Sequence, residues 1–315
     1  MDERINEFIQ LKLSDIKNMF EPFDRDMMIL GFSPMRNGMG NSGYEVTTTN
    51  GKFLLKLYSN NTHGIETAMY NYMEKIINVP KVYYYHKNGH AYTITEYIEG
   101  ETLSEYIRRE KKYPKESAFT IGNMCGFVHS KKYSSDAMLD TALNVLSTLP
   151  LTREKILFLL NSKPGSHLQK ETIAKLQSYI EKHSEELDEI ESESVLLHGD
   201  MNYGNIMLSG GKVYFIDFEF AFSGSRYHDI GHFFRRKDAD LQIYIDTDIY
   251  TAFADGYNSV SEKSLPENWL RLARLCDISA MLCLLNHNNI PEQWVTDIEY
   301  DILCAIKEYN YDKTN

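Results

Sequence analysis

The sequence predicts an α+β fold of two lobes: a small antiparallel-sheet lobe over residues 1–96 and a larger, mostly helical lobe over residues 97–315. Before Gly100 the chain is built of short β-prone runs separated by turn residues; after it, long stretches place apolar residues at helical spacing. A length of 315 residues independently gives a prior of two compact parts.

Residues 3–20 carry Ile5, Phe8, Ile9, Leu11, Ile16 and Phe20 at a rough helical period. Residues 44–58, YEVTTTNGKFLLKLY, hold Asn50-Gly51 between two β-prone runs, the strongest short hairpin signal. A helix is predicted over 65–77, then strands over 81–85 and 91–98 around the turn Lys87-Asn88-Gly89. Helices follow over 102–112, 115–131, 137–147, 152–161 and 167–191. A β insert comprises Val195–His198, Ile206–Leu208 and Val213–Asp217, after which helices resume, including 265–286 and 291–309.

Hydrophobic residues make up 43% and charged residues 25%, a globular balance that excludes bulk disorder. The longest apolar runs fall well short of the ~20 residues that span a bilayer, and the charged N-terminus does not fit a secretory signal, so a cytoplasmic location is expected. The net charge of -12 disfavours a nucleic-acid partner. The charge is uneven, at -1 over residues 1–96 and -11 over 97–315, so the second lobe is suited to attract a cationic ligand. The four cysteines form no C-x-x-C pair and are expected to be buried reduced thiols.

Three features carry chemistry. Gly38-Met39-Gly40-Asn41-Ser42-Gly43 fits G-x-G-x-x-G; a β-hairpin follows it rather than a helix, which suits a loop covering phosphates rather than a dinucleotide fold. Lys56 lies in the apolar strand Phe53–Tyr58, on the face opposite Phe53, Leu55 and Leu57. Glu66, ten residues on, is its expected partner, while the rival Lys52 falls in the Asn-Gly turn and is expected to be solvated. The most specific feature is Leu-His-Gly-Asp-Met-Asn-Tyr-Gly-Asn-Ile-Met-Leu over 197–208, followed by Val213-Tyr214-Phe215-Ile216-Asp217-Phe218-Glu219. Two carboxylates and an amide at this spacing suit phosphoryl transfer: Asp200 as base, with Asn205 and Asp217 holding Mg²⁺ through oxygen ligands.

With these residues in place, the chain resembles the aminoglycoside phosphotransferase and choline kinase family, which has the protein-kinase-like fold. The signature is His198-Gly199-Asp200 with Asn205, then Ile216-Asp217-Phe218-Glu219, then Asp229-Ile230-Gly231 in the place of that family's D-L-A segment. The Gly loop, Lys56, Glu66, the connector Thr95–Gly100 and Gly126–Ser130 fall in the expected order. The resemblance implies ATP or GTP with Mg²⁺ as cofactors, and purine recognition by backbone groups at Glu96, Tyr97 and Ile98. It also implies that Gly38, Gly40, Ser42 and Gly43 cover the phosphates, that His198 shapes the catalytic loop, that Asp229 braces it, and that Glu219 lies near the metal.

Departures from the protein-kinase pattern point to the acceptor. His-Gly-Asp replaces His-Arg-Asp, Asn202 stands where a lysine is expected, and the 12 positions from Asp217 to Asp229 leave no room for a segment that docks a protein. A small-molecule hydroxyl is therefore expected, with a cationic acceptor such as an aminoglycoside antibiotic favoured by charge. Asp238, Asp240, Asp246, Asp248 and Asp255 are candidates to line its site. Choline, ethanolamine, homoserine or a sugar also fit the family. Alternatives of another class are a His-Asp metal phosphohydrolase built on His198, His228 and Asp229, and a non-catalytic nucleotide-binding pseudokinase.

Overall fold

The structure, a computed structural model, describes residues 6–35, 40–59, 63–235, 241, 243–287 and 289–307. It divides into two compact units, the first formed by 1–106, 139–145 and 204–221 and the second by 107–138, 146–203 and 222–315. The class is α+β with a kinase-like architecture: an N-terminal antiparallel sheet and a helical C-terminal region.

The first unit is built on β1 (Ile29–Met35), β2 (Ser42–Thr48), β3 (Gly51–Leu57), β4 (Val82–His86) and β5 (Tyr92–Glu96), in the order β1-β2-β3-β5-β4 with antiparallel neighbours. Asn50-Gly51 makes the β2–β3 turn, and Gly51 has φ +117°, a conformation that favours glycine. Strand alternation then sorts the side chains. Tyr44, Val46, Phe53, Leu55 and Ile94 face one side and bury Ile16 and Phe20 of α1 (Leu13–Phe20). Lys52, Leu54 and Lys56 share the opposite face by the period of two. Helix α2 (His63–Met73) follows, with Glu66 in its first turn.

The connector after β5 leads through β6 (Glu101–Thr102), which pairs with β11 (Ile206–Ser209) and, beyond it, β12 (Lys212–Phe215). Gly100 is required here: a Cβ at this position would stand 2.1 Å from the Leu208 carbonyl oxygen.

Helix α3 (Leu103–Glu110) leads to the second unit, which holds α4 (Lys115–Val128), α5 (Thr152–Leu160), α6 (Lys170–Lys182), α7 (Ser184–Ile190), α8 (Tyr227–Phe233), α9 (Thr247–Asn258), α10 (Trp269–Leu284) and α11 (Glu292–Ala305). A second sheet runs β7 (Lys132–Tyr133), β10 (Ser194–Leu197), β13 (Phe222–Gly224), β8 (Ala137–Leu139), β9 (Val145–Thr148). Helices α4 and α9 approach so closely that a Cβ on Gly122 would lie 2.0 Å from the Phe253 carbonyl oxygen. Phe233, Phe234, Phe253 and Trp269 pack ring against ring beside this crossing.

Several elements differ from the sequence expectation. Residues 6–12 are not helical, because the Ile9 and Leu11 amides donate to Ser42 Oγ (2.9 Å) and Tyr44 Oη (3.0 Å). Residues 137–147 form β8, a turn and the start of β9 instead of a helix. Asp140 Oδ1 accepts the amides of Ala142 and Asn144, and Leu143 adopts φ +59°. The helix expected over 167–191 breaks at His183, whose φ and ψ are -117° and 48°. Strands β1 and β13 had no counterpart in the expectation. All four cysteines are free; Cys125 and Cys276 are buried, Cys283 is half-buried and Cys304 is exposed, so burial holds for only part of the set. No helix among the described residues is long and apolar enough to cross a membrane.

Candidate active site

In the first unit, Lys56 projects from β3 between two carboxylates. Its Nζ lies 2.9 Å from both Glu66 oxygens and 2.8 Å from Asp217 Oδ1. Burial alone would lower the lysine pKa, but Asp217 and Glu66 hold it well above its usual value, so the ammonium is the stable form. Glu66 is 1% exposed and also accepts from Tyr58 Oη (2.5 Å) and Tyr70 Oη (3.1 Å). Burial still raises the Glu66 pKa above its usual value, and these four hydrogen bonds offset that desolvation only in part. Tyr70 lies four residues after Glu66 on α2, the spacing that places two side chains on one helix face.

Asp217 follows β12 with φ +65°, a left-handed conformation uncommon for a residue with a side chain. Its amide donates to Tyr70 Oη at 2.9 Å. The Ile216 amide donates to the Asn205 carbonyl at 3.0 Å, which ties the start of β11 to the Asp217 turn. Phe218 is buried and packs edge-on against Tyr70 with centroids 5.8 Å apart. Glu219 Oε2 accepts from Asn41 Nδ2 at 2.7 Å. Asn205, Asp217 and Glu219 offer hard oxygen donors of the kind a magnesium ion takes, so the donor chemistry fits that ion.

Gly43 pairs directly across from Lys56. The Gly40 carbonyl accepts from Ser59 Oγ at 2.6 Å and from Asn6 Nδ2 at 3.3 Å. Ser42 is buried on the packed face, its hydroxyl accepting from Ile9. Gly38 lies outside the described residues, as do Asp238 and Asp240. Lys52, on the Lys56 face but at the turn, is 40% exposed and pairs with Glu45 and Glu99. An open cavity of about 400 Å³ borders Lys52, Glu96, Tyr97, Ile98, Glu99 and Tyr214.

In the second unit, β10 ends in His198-Gly199-Asp200. The buried Asp229 carboxylate of α8 accepts the His198 amide at 2.6 Å and the Gly199 amide at 2.9 Å. His129 Nε2 lies 3.1 Å from the same carboxylate, and its Nδ1 lies 3.1 Å from Tyr257 Oη. Burial would raise the Asp229 pKa, yet His129, followed by His228 and His198, holds it well below the usual carboxylate range. The Asp200 carboxylate lies 3.5 Å from His232 Nε2. His228 and His232 therefore address different groups, since His228 Nδ1 is 3.9 Å from Asp229. Asp246 and Asp248 pair with Lys115.

Sequence reasoning missed Tyr58 and Tyr70. The available signal for Tyr70 was its spacing from Glu66; for Tyr58 it was the strand alternation that puts it on the face of Lys56.

A kinase-like fold with a strand lysine held by a helix glutamate, and an aspartate-bearing loop braced from α8, defines a phosphotransferase. The model of the phosphotransferase enzyme family matches residues 31–273, so the chain belongs to that family of small-molecule kinases, whose acceptor is an alcohol. No curated protein matches it by sequence. Solved structures give the same fold at low identity. Aminoglycoside phosphotransferase APH(4)-Ia aligns with TM-score 0.65 and 13% identity over 92% of this chain and 97% of that one. Choline kinase from Cryptosporidium parvum aligns with TM-score 0.63 and 13% identity over 93% and 95%. Plasmodium vivax ethanolamine kinase aligns with TM-score 0.59 and 16% identity over 97% and 92%.

Proposed function

We propose that this chain transfers the γ-phosphoryl group of ATP, or of GTP, to a hydroxyl of a small cationic molecule. The observation that carries this reading is the half-buried Lys56 ammonium held between Glu66 and Asp217. A cation fixed in that way positions phosphate oxygens at little further cost in ordering. Asn205 and Asp217 would hold Mg²⁺, with Glu219 near it. The ion, when bound, supplies positive charge against the phosphate oxygens. Gly40 and Gly43, the second of them directly across from Lys56, lie against the phosphates, and backbone groups at Glu96, Tyr97 and Ile98 take the purine at the bordering cavity. Asp200 orients the acceptor hydroxyl and takes its proton. Its placement directly after the two amides bound by Asp229 gives that carboxylate a fixed backbone.

For the acceptor, the net charge of -12 favours a cation. The solved relatives include one in complex with ADP and spectinomycin, one in complex with AMP-PNP and hygromycin B, and the choline and ethanolamine kinases. An aminoglycoside is the leading acceptor and a choline-type amino alcohol the second. A screen of ADP release over aminoglycosides, other antibiotics and amino alcohols tests the class. Transfer to at least one cationic alcohol is expected; transfer only to neutral or anionic acceptors would refute it. Asp200→Asn is expected to lower kcat roughly a hundred- to ten-thousandfold with nucleotide affinity nearly unchanged, and near-normal turnover would refute the base assignment.

A further inference from the structure

We propose that Tyr70 is the residue that positions Asp217 for the metal, so that assembly of the Lys56–Glu66 pair and orientation of the metal-binding carboxylate are one event. This rests on the nucleotide and metal reading above and adds a residue to it. The geometry is specific to a hydroxyl. Tyr70 Oη donates its one proton to Glu66 Oε1 at 3.1 Å and accepts the Asp217 amide at 2.9 Å. A phenylalanine could do neither.

Asp217 gains most from being held. With φ +65° it sits in a sparsely populated backbone region, which persists only where surrounding contacts fix it. Two contacts from Tyr70 serve that end: the hydrogen bond to the Asp217 amide, and the packing of its ring against Phe218 at 5.8 Å. In this conformation the Asp217 carboxylate reaches Lys56. Glu66 meets the same lysine from α2, so Tyr70 joins the Glu66 carboxylate to the backbone of Asp217. A helix shift that broke the Lys56–Glu66 pair would also pull away the oxygen that holds the Asp217 amide.

The test uses the full chain and a fluorescent ADP analogue, whose affinity is measured with and without Mg²⁺, so no acceptor is needed. In the wild type, Mg²⁺ is expected to tighten binding. Tyr70→Phe keeps the ring against Phe218 and is expected to lose roughly tenfold of that Mg²⁺-dependent gain, the scale of one hydrogen bond at a charged site, while metal-free affinity holds. Tyr92→Phe is the control. It removes a buried hydroxyl from the opposite face of the sheet, where it donates to the Met19 carbonyl at 2.9 Å, and should retain the full gain. An unchanged Mg²⁺ gain in Tyr70→Phe, or an equal loss with and without Mg²⁺, would overturn the proposal. Absence of nucleotide binding in the wild type would instead overturn the reading on which it rests.

Discussion

Lys56 Nζ and Asp217 Oδ1 lie 2.8 Å apart, although 161 positions separate them in the chain. This ion pair joins β3 to the turn that follows β12, and Glu66 completes it from α2.

Replacing the lysine should therefore be costly twice. Lys56→Met leaves a carboxylate that is 1% exposed without its cation, and breaking such a pair typically costs about 3–5 kcal/mol. Denaturant melts should show that loss, and Lys56→Met combined with Glu66→Gln should recover part of it. Turnover should not recover in the double variant, because the cation facing the phosphates is still missing.

Asp229 should give an acid-sensitive contribution to stability. Its folded pKa is depressed, so the contribution is present above the unfolded value near 3.9 and is lost as pH falls through the lower folded value. Melting temperature followed from pH 5 downward should fall less steeply in Asp229→Asn than in the wild type. At pH 7 the variant should be less stable by about 3 kcal/mol or more, since the His198 and Gly199 amides lose charge-assisted partners. Equal pH slopes would contradict the assignment.

The crossing of α4 and α9 predicts a purely structural effect. Gly122→Ala would place a methyl group 2.0 Å from the Phe253 carbonyl oxygen. Overpacking of this kind costs about 1–3 kcal/mol. Thermal unfolding should show the loss, and nucleotide affinity measured well below the melting temperature should not change.

Much of this was legible in the chain because local signals and tertiary demands agreed. Asn50-Gly51 specified its hairpin, and alternation along Phe53–Leu57 placed Lys56 away from the packed face. The spacing of Asp200, Asn205 and Asp217 drew attention to that segment for chemical reasons. Failures came where a side chain bonding backbone amides, near or far in the chain, decided. The apolar pattern of 137–147 also fits two short strands, and the Asp140 side chain settles the choice by bonding the turn amides. The start of the chain loses its helix to Ser42 and Tyr44, more than thirty residues away. Tyr70 escaped notice because half of its role depends on an amide 147 positions downstream. The positive φ of Asp217 has no sequence signature, since aspartate adopts that conformation only where the fold holds it.

The most direct test is a crystal structure of the chain with AMP-PNP and Mg²⁺. The account predicts the ion on the side-chain oxygens of Asn205 and Asp217, Lys56 against the phosphates, and Asp200 open to an acceptor hydroxyl. An ion bound elsewhere, with Asn205 and Asp217 making no contact to it, would contradict the account at its centre.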